Sequence, residues 1–249
     1  MPRLKVSYRV RRLLVVLFLV GAFCAYLFLN PNAWQLAALL SDDIQEPADI
    51  ALKAEQTTAD SLIAKDVLEN LAVQPKYHQQ KYYRKLFYDD WGTNSGGCSM
   101  REVILNRDLT DTKLKGCKVQ SGTLNDPYTG QTIQFLRGQN TSSAIQIDHV
   151  VALSNAWATG AYALDADTRY ALSQDPLNLL AVDGPANQEK LDQDASTWLP
   201  SNESFRCQYV ARQISVKYKY HLWVTPEEKS AMQKVLALCP DEPTVGLEQ

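Results

Sequence analysis

The chain contains no C-x-x-C pair, no internal repeat and no low-complexity tract, and only three of its 249 residues are histidine. Without paired cysteine ligands, a zinc knuckle has nothing to be built from. Positive charge is not in excess either: 25 Lys and Arg stand against 28 Asp and Glu, a formal net of −3. Five of those cations (Arg3, Lys5, Arg9, Arg11 and Arg12) precede a long apolar run, so the remainder carries 20 against 28, a net of −8. A general polyanion binder relies on a strong basic excess. Any nucleic acid met by this chain must therefore be held locally or through a metal ion.

The apolar run is Leu13 to Leu29, "LLVVLFLVGAFCAYLFL", with no charge again until Asp42. Its 17 residues exceed the roughly 7–15 of a signal-peptide core. They reach the roughly 17–25 of a membrane-spanning helix. The best small-x-small cleavage candidate, Ala22-Phe23-Cys24, falls in the middle of the run. We therefore expect a signal anchor over 13–29, with a cleaved signal peptide as the alternative. The basic flank, 1–12, stays in the cytoplasm. Either way the rest is exported, as a membrane-tethered or a secreted domain.

Cysteine usage agrees with export. Cys24 lies inside the apolar run, and Phe23 before it argues against a lipoprotein cleavage box. Cys98, Cys117, Cys207 and Cys239 remain, an even number that reads as two disulfides. Three connectivities are possible. Closure of short local loops favours Cys98–Cys117 and Cys207–Cys239.

Residues 42–75 are rich in Asp, Glu, Ala and Gln, and Leu62, Leu68, Leu71 and Val73 recur at near-helical spacing. This pattern predicts a helical linker or stalk, followed by a domain over 77–240 and a disordered tail at 241–249. "YHQQKYYRKLFYDDW" opens the domain, either as an amphipathic packing segment or as an aromatic and basic strip for single strands. "MREVILNRDLTD" reads as a helix. "GCKVQSGTLNDPYTGQTIQFLRG" reads as β-structure around the turn Asp126-Pro127-Tyr128-Thr129-Gly130. Tyr128 is read first as turn packing, with reach to a substrate as the alternative. "SAIQIDHVVAL" is a strand, "SNAWATGAYAL" and "DADTRYALSQD" have helical period, and "NLLAVDG" is a short strand. "PANQEKLDQDA" is a helix with Pro185 in its first turn. Two more helices close the domain, over 202–221 and from Thr225, where Thr225, Pro226 and Glu228 form a capping box.

The chemistry lies in Asp148-His149 on a strand, Asn178 opening a short strand, and Asn187 and Lys190 on a helix. Taken singly, each has a structural explanation. A histidine in an apolar strand is usually a satisfied core group, and an asparagine before a strand usually forms a turn. The set resembles the HNH, or ββα-metal, nuclease superfamily, in a variant with Asn at the third position. It is closer still to exported proteins with the GmrSD-type C-terminal HNH domain. The resemblance runs over "GCSMREVILNRDLTD", "GCKVQSGTLNDPYTGQTI", "SAIQIDHVVALSNAWATGA" and "DPLNLLAVDGPANQEKLDQDASTWLP", including the nine-residue step from Asn178 to Asn187.

A phosphodiester hydrolase needs an activated water and stabilisation of phosphorane and leaving-group charge. The resemblance implies His149 as general base, and Asp148 and Asn187 as oxygen ligands of one divalent ion, most naturally Mg²⁺ with Mn²⁺ possible. It also implies Asn178 as the residue holding the loop that orients His149. Lys190, one turn beyond Asn187, would touch phosphate, and so would Arg101, by its place after Cys98 in a Cys-x-x-Arg motif. Family sequences often have Asp-Thr where this chain has Ser99-Met100. For Arg101 an ion pair with Asp108 or Asp111 is the alternative.

The expected architecture is α+β: a small ββα-metal core with flanking helices and a short β-hairpin region, behind an N-terminal transmembrane helix. The expected activity is endonucleolytic, on DNA more than RNA. The rival readings are a catalytically silent cell-surface module of the same fold and a metal phosphodiesterase acting on another substrate. One geometric demand follows. Neighbouring residues of a regular strand point to opposite faces. The strand must therefore twist, bulge or end at Asp148-His149 if both are to serve one phosphate.

Overall fold

The computed structural model describes residues 62–247 apart from His78 and Asn140. The expected flank at 1–12, the anchor at 13–29 and most of the 42–75 segment lie outside the described residues. Among the described residues, no helix is long and apolar enough to cross a membrane.

Among the described residues, seven α-helices and five strands follow one another: α1 (Ala64–Asn70), α2 (Met100–Asp108), β1 (Thr110–Lys115), β2 (Lys118–Asn125), β3 (Thr132–Leu136), β4 (Ile145–His149), α3 (Leu153–Ala158), α4 (Ala166–Gln174), β5 (Leu179–Asp183), α5 (Gly184–Lys190), α6 (Arg206–Lys219) and α7 (Pro226–Leu236). The α+β expectation is met. Strands β1, β2 and β3 form an antiparallel sheet with β2 in the middle, and β4 pairs antiparallel with β5 in a separate two-stranded sheet.

Strand β1 escapes the sequence reading, which runs the preceding helix through Asp111. Its residues "TDTKLK" are nearly all exposed, so no alternation marks them. Pairing with β2 carries the strand, and the register shifts between Thr110 and Leu114, with Asp111 at φ 52°. Apolar residues of α2 (Ile104, Leu105) pack against Val119, Leu124 and Phe135 of the first sheet and against Ile145 and Leu179 of the second. Helix α2 is thus the spacer between the sheets.

The second sheet is buried on both faces. Ile145, Ile147, Leu179 and Ala181 turn toward α2, whereas Leu180 and Val182 join α1, α6 and α7 in the largest apolar cluster. A sheet covered on both sides reads as a continuous apolar run, as "NLLAVDG" does. Helix α5 starts directly at the end of β5: Asp183 caps it by accepting from Ala186 N at 2.8 Å, and Pro185 occupies its first turn. A Cβ on Gly184 would collide with the Ser143 carbonyl oxygen, so glycine is what lets the helix start against the turn that leads into β4. Strands β4 and β5 followed by α5 make the expected ββα unit.

Both favoured disulfides are present. Cys98–Cys117 ties the approach to α2 to the β1–β2 turn, with Cα atoms 5.3 Å apart. Cys207–Cys239 ties α6 to the chain just after α7, with Cα atoms 6.4 Å apart. The capping box at Thr225 and Glu228 forms as its sequence implies.

Two boundaries differ from the sequence reading. The end of the presumed stalk belongs to the domain: Val67, Leu68 and Leu71 are buried against α6 and α7. Its polar residues face solvent, so in sequence an amphipathic stalk and a docked helix look alike. The tail expected to fray after Pro240 is held as far as Val245. Ala64 N donates to Glu242 O, Thr244 N to Leu62 O, and Val245 N to the Ser215 hydroxyl at 2.9 Å.

Candidate active site

A cleft of about 640 Å³ runs along β4 and is walled by Gln146 to His149, the start of α3, Asn187 on α5, and Tyr82 and Arg84. Four consecutive residues of a strand can line one cleft only where its edge or end is open, and β4 pairs with β5 alone. The strand ends at His149, which meets the geometric demand set by the sequence. His149 and Asp148 leave by opposite faces and are both buried to 5% exposure, yet each contributes to the cleft wall.

His149 bonds through Nε2 to the Ser173 carbonyl oxygen at 2.9 Å. A carbonyl oxygen only accepts, so Nε2 carries the proton and Nδ1 holds the lone pair. The Trp91 ring stacks on the imidazole, with centroids 5.9 Å apart and planes 4° apart, and Tyr88 lies 6.0 Å away. Burial among these groups lowers the His149 pKa to about 3, and the Arg84 and Lys190 charges push the same way. The ring is therefore neutral across the physiological range.

Asn178 is buried at the start of β5. Its Oδ1 accepts from Val151 N at 2.8 Å, its Nδ2 donates to Val151 O at 3.2 Å, and its own carbonyl accepts from Val150 N at 2.8 Å. Three bonds fix the two residues that follow His149, in the place where the sequence expects a loop clamp.

Asp148 sits between a hairpin and a helix. Its Oδ2 accepts from the Tyr128 hydroxyl at 2.5 Å, and the Lys190 ammonium lies 3.0 Å from both Oδ1 and Oδ2. Burial pushes the Asp148 carboxyl upward, while the Lys190 charge and the Tyr128 hydroxyl oppose that push. Lys190 is wholly buried and also donates to the His149 carbonyl at 3.0 Å. It does not line the cleft, so the expected phosphate contact is corrected. The flexible stem folds under β4 because its charge finds a carboxylate and a carbonyl there.

Asn187 does line the cleft. Its Nδ2 donates to Gln146 Oε1 at 2.9 Å, which leaves the side-chain Oδ1 as its unengaged group. Arg101 is not on the wall. It lies at the start of α2, half-buried, beside Glu102 and Arg137, which bond each other at 2.7 Å. Of the two acids in the alternative, Asp108 is taken by Arg107. The cation at the cleft is Arg84, next to Tyr82, while Phe87 of the same strip is buried against Trp157. The strip thus divides into a cleft-facing half and a packing half.

Among the described residues, the group of three potential metal-holding His, Cys, Asp or Glu side chains is Cys207, Cys239 and Glu242. Its two sulfurs form a disulfide, so it offers no thiolate.

Residues 99–235 match the family model described as "GmrSD restriction endonucleases, C-terminal domain". The chain belongs to this family. It is also similar to a protein of Arthroderma benhamiae described as an "Uncharacterized secreted protein", 39% identical over 179 residues that cover 71% of this chain and 84% of that one. No solved structure matches. Membership fits the β4–β5–α5 unit: a nuclease-like domain of the HNH type, in which Asp148, His149 and Asn187 line one cleft, Asn178 and Lys190 are buried behind it, and Arg101 lies apart.

Proposed function

We propose that the domain is a metal-dependent endonuclease working outside the cytoplasm, tethered through residues 13–29 or secreted if that segment is cleaved. The observation that carries this reading is the orientation of His149, whose Nε2 is held by the Ser173 carbonyl so that Nδ1 is left as the free nitrogen in a cleft that also holds Asp148 and Asn187. The donors fit a hard divalent ion, Mg²⁺ or Mn²⁺, because the carboxylate and amide oxygens supply no soft ligand. Asp148 meets Lys190 through both oxygens and Tyr128 through Oδ2, and keeps acceptor capacity on Oδ1 for an ion. The ion, when bound there, supplies Lewis-acid stabilisation of phosphoryl and leaving-oxygen charge.

The chain's own residues do the rest. His149 takes the proton of the attacking water at Nδ1, and the Ser173 carbonyl and the Trp91 ring hold the imidazole in the orientation that points Nδ1 outward. Asn178 fixes the turn that follows the base. Arg84, exposed at the mouth, contacts a phosphate of the substrate, a role that Arg101 and Lys190 are not placed to fill. The acidic surface is tolerated because positive charge is supplied at the cleft itself. DNA is the favoured substrate over RNA.

The test is nicking of supercoiled plasmid and cleavage of RNA by the full chain with Mg²⁺ or Mn²⁺, and with EDTA. Metal-dependent cleavage that EDTA abolishes is expected. Absence of cleavage of either nucleic acid with either metal would replace this reading with a non-catalytic binding module.

A further inference from the structure

The turn Asp126 to Gly130 joins β2 to β3, outside the β4–β5–α5 unit, yet it reaches into it at two points. Tyr128 is wholly buried and places its hydroxyl 2.5 Å from Asp148 Oδ2. Asp126, also buried, accepts from Asp183 N at 2.8 Å, at the junction from which α5 carries Asn187. Its other oxygen accepts from the Thr129 amide at 2.7 Å and the Thr129 hydroxyl at 2.6 Å, so the turn is rigid in itself.

The far side of the turn is pinned too. Asn202 N donates to Tyr128 O at 2.9 Å, and Asn202 Nδ2 donates to Pro127 O at 3.1 Å. The Tyr128 ring packs edge-on against Trp198 and Tyr209, with centroids 5.0 and 5.7 Å away. A side chain needed only for packing could be phenylalanine. A buried hydroxyl aimed at a carboxylate has a further consequence, because it takes one lone pair and fixes the plane in which the others point.

We propose that Tyr128 is a positioning residue for Asp148: the β2–β3 turn reaches across to orient the carboxylate, so that the acceptor capacity left on its Oδ1 faces the cleft and receives the divalent ion. The Lys190 ammonium lies 3.0 Å from both carboxylate oxygens on the helix side, and Tyr128 holds Oδ2 from the hairpin side, so it is the Tyr128 bond that distinguishes the two oxygens and resists rotation about the terminal bond. Outer groups of this kind typically govern metal affinity by about 10–100-fold. The inference rests on Asp148 being a ligand, as proposed above.

The experiment is Mn²⁺ titration of the full chain, followed by calorimetry and by the EPR signal of free Mn²⁺, for the unsubstituted protein, Tyr128→Phe and Tyr209→Phe. Tyr209 is the control, since it is equally buried and its hydroxyl bonds Gln213 at 3.0 Å, not Asp148. The expected result is a Kd weakened about 10–100-fold in Tyr128→Phe and unchanged in Tyr209→Phe, at similar thermal stability. Equal affinities in all three overturn the inference, while an unsubstituted chain that binds no Mn²⁺ overturns the metal reading on which it rests. A second readout needs no substitution. The Tyr128 hydroxyl proton, buried in a short bond, is expected as a slowly exchanging downfield resonance that shifts when Mg²⁺ is added. A resonance indifferent to Mg²⁺ in a chain that binds the ion contradicts the proposal.

Discussion

His149 donates its Nε2 proton to the Ser173 carbonyl across 2.9 Å, so the end of α4 sets which nitrogen of the histidine is basic. The same bond removes the ring from water without protonating it, and burial lowers its pKa to about 3. In the unfolded chain the ring titrates near its ordinary 6.5. Between those values the unfolded chain binds more protons than the folded one. This contribution to stability is therefore complete above pH 6.5 and is lost as pH falls toward 3. Urea unfolding in EDTA at pH 7.5 and 4.5 measures it. The expected extra loss, relative to His149→Gln, is roughly 2–3 kcal/mol.

Asn178 makes three hydrogen bonds to Val150 and Val151 from a fully buried position. Asn178→Ala removes two of them and leaves Val151 N and O without partners. The expected cost is about 2–3 kcal/mol in urea unfolding, with cleavage reduced because the turn after His149 is no longer fixed. An unchanged midpoint would remove the clamp from this account.

Lys190 and Arg84 separate fold from substrate contact. Lys190→Met leaves the Asp148 carboxylate buried with Tyr128 alone, and the expected loss of stability is about 3–5 kcal/mol. Arg84→Ala removes an exposed side chain, so stability should stay within about 0.5 kcal/mol. In that variant kcat/KM should fall by about tenfold or more through loss of a charge-assisted phosphate contact. Unfolding curves and steady-state cleavage of one labelled oligonucleotide read both. A stable Lys190→Met protein with weakened substrate binding would return the phosphate contact to Lys190.

Local signals made the candidate site residues legible. Asp148-His149 interrupts an apolar strand, Asn178 and Asn187 stand nine residues apart, and four cysteines close two short loops. Contacts from distant segments were not legible. Trp91, the Ser173 carbonyl and the Tyr128 hydroxyl reach the site from far along the chain, and no spacing rule announces them. Lys190 was misread for a related reason. A lysine one turn beyond Asn187 can swing outward or inward, and only the packed structure shows that it turns inward to the buried Asp148 carboxylate. Tyr82 and Arg84 were visible as part of an aromatic and basic strip, but its division between cleft and core depends on which residues meet Trp157. Helix α1 was legible as a helix and not as part of the domain, because the surface that buries Val67 and Leu68 comes from α6 and α7.

The most direct measurement is single-turnover nicking of plasmid by His149→Ala at saturating Mn²⁺, compared with the unsubstituted chain at the same metal occupancy. Loss of a general base is expected to slow the step by about 10²–10⁴-fold while Mn²⁺ affinity is kept. A rate within about threefold of the unsubstituted chain, at equal occupancy, would contradict the role of His149 and with it the mechanism.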